Sequence, residues 1–91
     1  SLVLTPSRHG GYGNDTITGG SGNDNITGGN GDDAITDKFG QNTLSGGNGN
    51  DTITGGSGSD SILGGDGDDK ITDALGNNTL DGGVGNDVIT G

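Results

Sequence analysis

The chain has 91 residues, with three basic side chains against thirteen acidic ones, 22% hydrophobic residues, 24 glycines and no cysteine. Its formal charge of −10 excludes electrostatic capture of nucleic acid or anionic lipid, the missing cysteines exclude disulfides, and no apolar run approaches the roughly 20 residues of a membrane span. So little apolar material cannot by itself offset the entropy of ordering the chain, so composition alone reads as disorder unless a non-covalent staple such as a bound cation is present.

Residues 1–9 read as an N-terminal flank. Leu2-Val3-Leu4 is expected to form one strand capping the open end of the repeat array that begins at Gly10, and it is too short for the core of a signal peptide. Pro6 falls where later units carry an aspartate and cannot serve as a carboxylate ligand. His9, the single histidine, reads as an exposed flank residue rather than a general base. With no HExxH, GxSxG or Walker pattern anywhere, the segment is not read as an enzyme.

From Gly10 a nine-residue register takes over and runs to Thr90. Its sixth position reads Asp15, Asp24, Asp33, Asn42, Asp51, Asp60, Asp69, Asn78, Asp87, and two residues after each stands Ile17, Ile26, Ile35, Leu44, Ile53, Ile62, Ile71, Leu80 or Ile89. A glycine precedes each sixth position by two. The unit is Gly-Gly-x-Gly-x-Asp-x-(Ile/Leu)-x, repeated nine times over residues 10–90. A longer period lies above it: units one to four (10–45) match units five to eight (46–81) as a tandem duplication of 36 residues, and 82–90 is one further unit. Gly91 opens another, and the chain reads as a segment of a longer polypeptide.

Each unit divides into a turn and a strand. Its glycines permit the positive φ and close backbone approach of a tight turn. Thr-Ile-Thr and its variants place one apolar residue between two polar ones, the period-two pattern of a half-buried strand. Recurrent glycine and the absence of a 3.6-residue apolar stripe exclude helix. Three-residue strands persist only when stacked on copies of themselves. The expected fold is therefore all-β: a parallel β-roll, a right-handed β-helix-type solenoid with two units per 18-residue coil. Odd and even units supply two short-stranded parallel sheets, with the aliphatic eighth positions facing one another between them.

The turns indicate metal chemistry. Calcium takes six to eight oxygen ligands from carboxylates and backbone carbonyls. A glycine-rich turn exposes carbonyls, its aspartate adds an anionic oxygen, and two stacked turns can complete what one cannot. Each ion is therefore expected between turns two units apart. The odd column is intact, with four gaps framed by Asp15/Asp33, Asp33/Asp51, Asp51/Asp69 and Asp69/Asp87. In the even column units four and eight are degenerate: Asp37-Lys38 or Asp73-Ala74 replaces Gly-Gly, Phe39 or Leu75 takes the third position, and Asn42 or Asn78 replaces the aspartate. About four ions are expected on the odd edge and fewer or weaker ones on the even edge. Phe39 and Leu75 read as plugs of turns that lack calcium, with a docking site as the other reading.

On these motifs the chain resembles the RTX (repeats-in-toxin) family of secreted bacterial proteins, whose nonapeptide array is a calcium-binding parallel β-helix. The resemblance covers nearly the whole chain. It implies sixth-position carboxylates and turn carbonyls as ligands, here Asp15, Asp24, Asp33, Asp51, Asp60, Asp69 and Asp87, while Asn42 and Asn78 depart from the pattern and bring no charge. It further implies secretion from, or display on, a Gram-negative bacterium through a one-step channel, and an array that stays unfolded at low cytosolic calcium and folds outside. On this reading the segment is a monomeric module whose partners are calcium and other domains of its parent protein.

The rival reading is surface recognition. The ninth positions of the odd units, Thr18, Thr36, Thr54, Thr72 and Thr90, form an unbroken threonine column that could match ice or a polysaccharide. The seventh positions, Thr16, Ala34, Thr52, Lys70 and Val88, do not. Threonine is also simply a good residue for an exposed strand.

Overall fold

A computed structural model of the chain describes residues 2–3, 7–9, 11–19, 22–73 and 76–90. Among these residues there is no helix, and the strands are β1 (Leu2–Val3), β2 (Ser7–His9), β3 (Thr16–Thr18), β4 (Asn25–Thr27), β5 (Ala34–Asp37), β6 (Thr43–Ser45), β7 (Thr52–Gly55), β8 (Ser61–Leu63), β9 (Lys70–Thr72), β10 (Thr79–Asp81) and β11 (Val88–Thr90). They form two sheets, ordered β1-β3-β5-β7-β9-β11 and β10-β8-β6-β4-β2. Every pairing is parallel, and each unit of the array pairs with the unit two further on, as in Ile17↔Ile35, Ile35↔Ile53 and Ile26↔Leu44. This is the expected β-solenoid. Its extents are 28 × 25 × 12 Å, and a stack of six strands at about 4.8 Å spacing accounts for a dimension of this size.

The strands are short because the pattern allows each only one inward residue. Burial runs exposed–buried–exposed along Thr16–Thr18 and Ser61–Leu63. The inward residues make a single ladder: Ile17, Ile26, Ile35, Leu44, Ile53, Ile62 and Ile71 are buried, and Leu80 packs against them partly buried. Ile89 departs from the expected ladder and is 44% exposed. It stands on the last strand, where neighbours cover it from one side only.

The flank contributes more than the single cap expected of it. β1 joins the odd sheet, with Leu2↔Ile17, but β2 also joins the even sheet, with Arg8↔Ile26 and His9↔Thr27. His9 thus belongs to a strand, and Arg8 takes the register of the aliphatic ladder. Leu4 and Pro6 lie outside the described residues.

The two edges turn differently. On the odd edge the second and fourth glycines both have positive φ, as at Gly29 (91°) and Gly31 (108°). On the even edge the fourth position does so, as at Gly40 (90°), but Gly56 at the second does not, and no described non-glycine residue has positive φ. Lys38 therefore replaces glycine at a position whose backbone suits an L-residue. On the odd edge the same replacement would be strained.

Truncation at the centre of the ladder should cost more than truncation at its end. Ile53→Ala, fully buried, is expected to lose about 2–5 kcal/mol. Ile89→Ala should lose clearly less, both read from urea unfolding in saturating calcium.

Candidate metal centre

Each sixth-position residue lies immediately before a strand, so the stacked sheets bring these side chains into two columns, one on each edge. One carboxylate oxygen has a fixed task. Asp33 Oδ1 accepts the backbone N–H of Asp15 at 2.9 Å, and Asp51, Asp69 and Asp87 accept from Asp33, Asp51 and Asp69 at 2.8 Å each. Each of these four aspartates thereby reaches back one coil and clamps its predecessor. A second ladder runs in the opposite sense one residue earlier: Asp32 and Asn50 donate their N–H to Asn14 Oδ1 and Asp32 Oδ1, and Asp68 and Asn86 continue it. The fifth position looked variable in the sequence. Its restriction to Asn and Asp on the odd units, Asn14, Asp32, Asn50, Asp68 and Asn86, was the available signal.

The other oxygen of the sixth-position carboxylate has nothing to bind. Oδ2 of Asp15, Asp24, Asp33, Asp51, Asp60 and Asp69 is buried without a hydrogen-bond partner. Burying an anionic oxygen unpaired is expensive, so such a row calls for protons or cations. The surroundings favour a cation. An ideal Cβ built on Gly28 would lie 2.5 Å from Asp33 Oδ2 and 2.7 Å from the carbonyl oxygen of Gly46 in the next coil. At Gly64 the corresponding distances are 2.6 Å to Asp69 Oδ2 and 2.7 Å to Gly82 O. A carboxylate and a carbonyl of successive coils thus converge on one point, where glycine leaves room. These are hard oxygen donors of the kind calcium takes. No group of three or more His, Cys, Asp or Glu side chains is arranged for a metal among the described residues, so backbone carbonyls must supply most of any shell.

The even column shows what happens without the charge. Asn42 Oδ1 keeps the clamp, accepting Asp24 N–H at 2.9 Å, and Asn78 Oδ1 does the same for Asp60 at 2.8 Å. The amide nitrogen of Asn42 then donates to its own turn, to Phe39 O at 3.0 Å and more weakly to Gly40 O at 3.4 Å. The donor N–H thus meets two carbonyls of its own turn, in place of the anionic oxygen that an aspartate would present. Phe39 does not plug it as expected. Its side chain is 59% exposed, and it is the Asn42 amide that reaches into the turn. Leu75 lies outside the described residues.

Two further aspartates are buried on this edge, and the sequence reading assigned them no role. Asp37 and Asp73 are 0% and 1% exposed, and they stand at the first positions of the two degenerate units. The signal was a charge gained 36 residues apart at the place where a glycine was lost.

The threonine column is in register, Thr18↔Thr36↔Thr54↔Thr72↔Thr90. Thr36, Thr54 and Thr72 are nevertheless half-buried, and the fully presented column is the seventh position, interrupted by Ala34, Lys70 and Val88. The flat threonine face needed for surface recognition is not the most exposed one.

A family model described as RTX calcium-binding nonapeptide repeat, in four copies, matches residues 9–36, 38–71 and 63–91. No curated protein and no solved structure matches the chain.

Burial, reinforced by Asp33, Asp69 and Asp32, pushes the Asp51 carboxyl up to about 7 against the opposing pull of the Asp33 N–H. Burial likewise raises Asp33 and Asp69. A carboxyl raised in the fold stabilises it fully below the unfolded value near 4, and that contribution is lost as pH rises through the folded value near 7. Metal-free chain should therefore show more β-structure at about pH 4.5 than at about pH 8, by circular dichroism in chelator. With calcium the dependence reverses, since protons compete for Oδ2: the calcium midpoint should rise as pH is lowered from about 8 to about 6.

Proposed function

Because the chain belongs to the RTX calcium-binding nonapeptide repeat family, we propose that it is a module that folds on binding extracellular calcium and so supports the secretion, folding and stability of a larger secreted bacterial protein. The observation that carries this reading is the row of buried Oδ2 atoms without partners. On the odd edge Asp15, Asp33, Asp51, Asp69 and Asp87 would hold calcium in four gaps, each completed by turn carbonyls such as Gly46 O. On the even edge Asp24 and Asp60 would serve a smaller number of ions. Calcium supplies the positive charge that these oxygens otherwise lack.

The residues explain why folding should wait for the metal. Without it the chain carries −10, and folding stacks carboxylates of one sign above one another while burying few aliphatic side chains. Each inner odd aspartate faces two gaps, so filling one gap orders a carboxylate for the next, and uptake should be cooperative. In the cytosol, where calcium is scarce, such a chain stays extended and fits a one-step secretion channel. Outside, binding free energy becomes folding free energy. Other domains of the parent protein are then the natural beneficiaries, and nothing in this reading asks the segment to catalyse. Family membership itself describes a structural calcium-binding module.

Circular dichroism with calcium and with excess EDTA tests the reading. A β-spectrum is expected with calcium at affinities on the order of 10⁻⁴ to 10⁻³ M per site, and an unfolded one in EDTA at neutral pH. Folding that survives complete chelation at pH 8 would refute it. Magnesium should substitute poorly, because it dehydrates reluctantly and demands a tighter octahedron.

Asp51 gives the residue-level test. Asp51→Asn retains an Oδ1 for the Asp33 N–H, as Asn42 does for Asp24, but offers an N–H where the carboxylate oxygen was. The variant should still fold, with a higher calcium midpoint and a reduced calcium stoichiometry. Asp51→Ala, which loses the clamp as well, should shift the midpoint further.

A further inference from the structure

The third position of the unit varies freely, yet the glycine at the fourth follows it in every copy. Where the third residue is asparagine or aspartate, the two make a reactive pair. Adjacent coils of the odd edge carry three of them, Asn30-Gly31, Asn48-Gly49 and Asp66-Gly67, and all three acidic or amide residues are exposed. An Asn or Asp side chain can be attacked by the backbone nitrogen of the next residue, most readily when that residue is glycine and has no Cβ in the way. Every other asparagine of the chain precedes a residue with a side chain.

The reaction needs only water. The Gly31 nitrogen bonds to Asn30 Cγ, the Cγ–Nδ2 bond breaks, and Nδ2 leaves as ammonia with the proton from the glycine nitrogen, closing a succinimide ring. Water then opens the ring at one of its two carbonyls. Opening at Cγ leaves an aspartate. Opening at the main-chain carbonyl leaves an isoaspartate, whose backbone is longer by one methylene. Asp66 closes the same ring by losing water and regains it on opening.

In the stack each attacking nitrogen is occupied. Gly31 N–H donates to Asn48 O at 3.1 Å, Gly49 N–H to Asp66 O at 3.0 Å, and Gly67 N–H to Val84 O at 3.0 Å. The acceptor is in each case the third-position carbonyl of the next coil on that edge. The Asn48 amide nitrogen also donates to Asn30 Oδ1 at 3.0 Å and ties the two side chains together. Space is short as well, since a Cβ on Gly31 or Gly49 would collide with Gly13 O or Gly31 O. A fourth pair, Asp81-Gly82, lacks the lock: among the described residues none accepts the Gly82 N–H.

We propose that Asn30, Asn48 and Asp66 are self-modification sites, open to succinimide formation while the chain is unfolded and shut when the coils stack. Time spent unfolded is thereby converted into loss of folding competence. An isoaspartate at position 30 displaces Gly31 N–H from Asn48 O and breaks the 18-residue register held on either side of it. Aspartates at positions 30 and 48 would set like charges beside Asp66 in successive coils. Calcium is taken as the agent that stacks the chain, so the protection rests on the function proposed above, while the chemistry of the unfolded chain does not.

The test ages the full chain in mildly alkaline buffer with saturating calcium, its β-spectrum verified, and in parallel with calcium and guanidinium. Peptide mapping by mass spectrometry reads amide loss, and enzymatic methylation reads isoaspartate. In guanidinium, modification should concentrate at positions 30, 48, 66 and 81. In the folded chain it should be slowed by about tenfold or more at the first three, since each must wait for a local opening, and less at 81. After ageing unfolded, the chain should recover progressively less β-signal on return to calcium. Asn30→Ser combined with Asn48→Ser and Asp66→Ser, which places the serine of Ser57 at each third position, should recover more. Equal rates in the two arms, equal protection of position 81, modification spread over the remaining asparagines, or full recovery of the aged chain would each overturn the proposal. A chain that gains no β-spectrum in calcium would refute the function proposed above, and the map of the guanidinium arm would still judge the reactive pairs.

Discussion

One carboxylate group with two oxygens in different situations governs this molecule. The sixth-position aspartate uses Oδ1 to clamp the backbone N–H of the preceding coil, as in Asp33 to Asp15 and Asp51 to Asp33. The same bond leaves Oδ2 buried without a hydrogen-bond partner. The stacking interaction thus creates its own electrostatic debt, repeated at every coil. Glycine is needed in front of that oxygen because a Cβ would occupy the space, and the carbonyls of the next turn crowd toward the same point. A cation at that point would satisfy carboxylate and carbonyls together, while the aliphatic ladder is small and the stacked carboxylates share one sign.

The two edges solve that problem by different means. The odd edge is uniform, with left-handed glycines at the second and fourth turn positions and an Asp/Asn ladder at the fifth. The even edge uses a turn whose second residue is not left-handed, which is what admits Lys38. There Asn42 replaces the anionic oxygen by a donor that bonds within its own turn. Loss of an aspartate is therefore not simple damage, since the amide retains the clamp and removes the unpaired charge. Asp37 and Asp73 place a buried carboxyl group at a neighbouring position, in front of Gly19 and Gly55.

Such a structure is nearly one-dimensional. Long-range order is propagated by bonds between residues 18 apart, and no described element packs outside the stack. Stability is then a sum of similar interfaces between coils, each coupled to the next through a shared aspartate. An array built this way couples each coil to its neighbours without any separate regulatory part.

Period and chemistry were legible in the sequence because both are local and repeated. The nine-residue register placed Ile17 to Ile71 inward, the aspartates at the edge and the glycines in the turns, and from it followed the two parallel sheets and the carboxylate columns. What failed there were the features that depend on which atoms meet across a gap. The burial of Asp37, the amide of Asn42 turned onto Phe39 O, and the exposure of the Phe39 side chain are decided by contacts between coils and by side-chain direction within a turn, and a linear period carries neither. The flank shows the same limit, since β2 joins the even sheet with Arg8 opposite Ile26, without the repeat's residues, because strand pairing is made by backbone groups that every residue except proline possesses. The sequence by itself thus determined the repeat, the architecture and the family. Only the tertiary structure decided which oxygens are left without partners, because that is a property of stacked coils and not of any single unit.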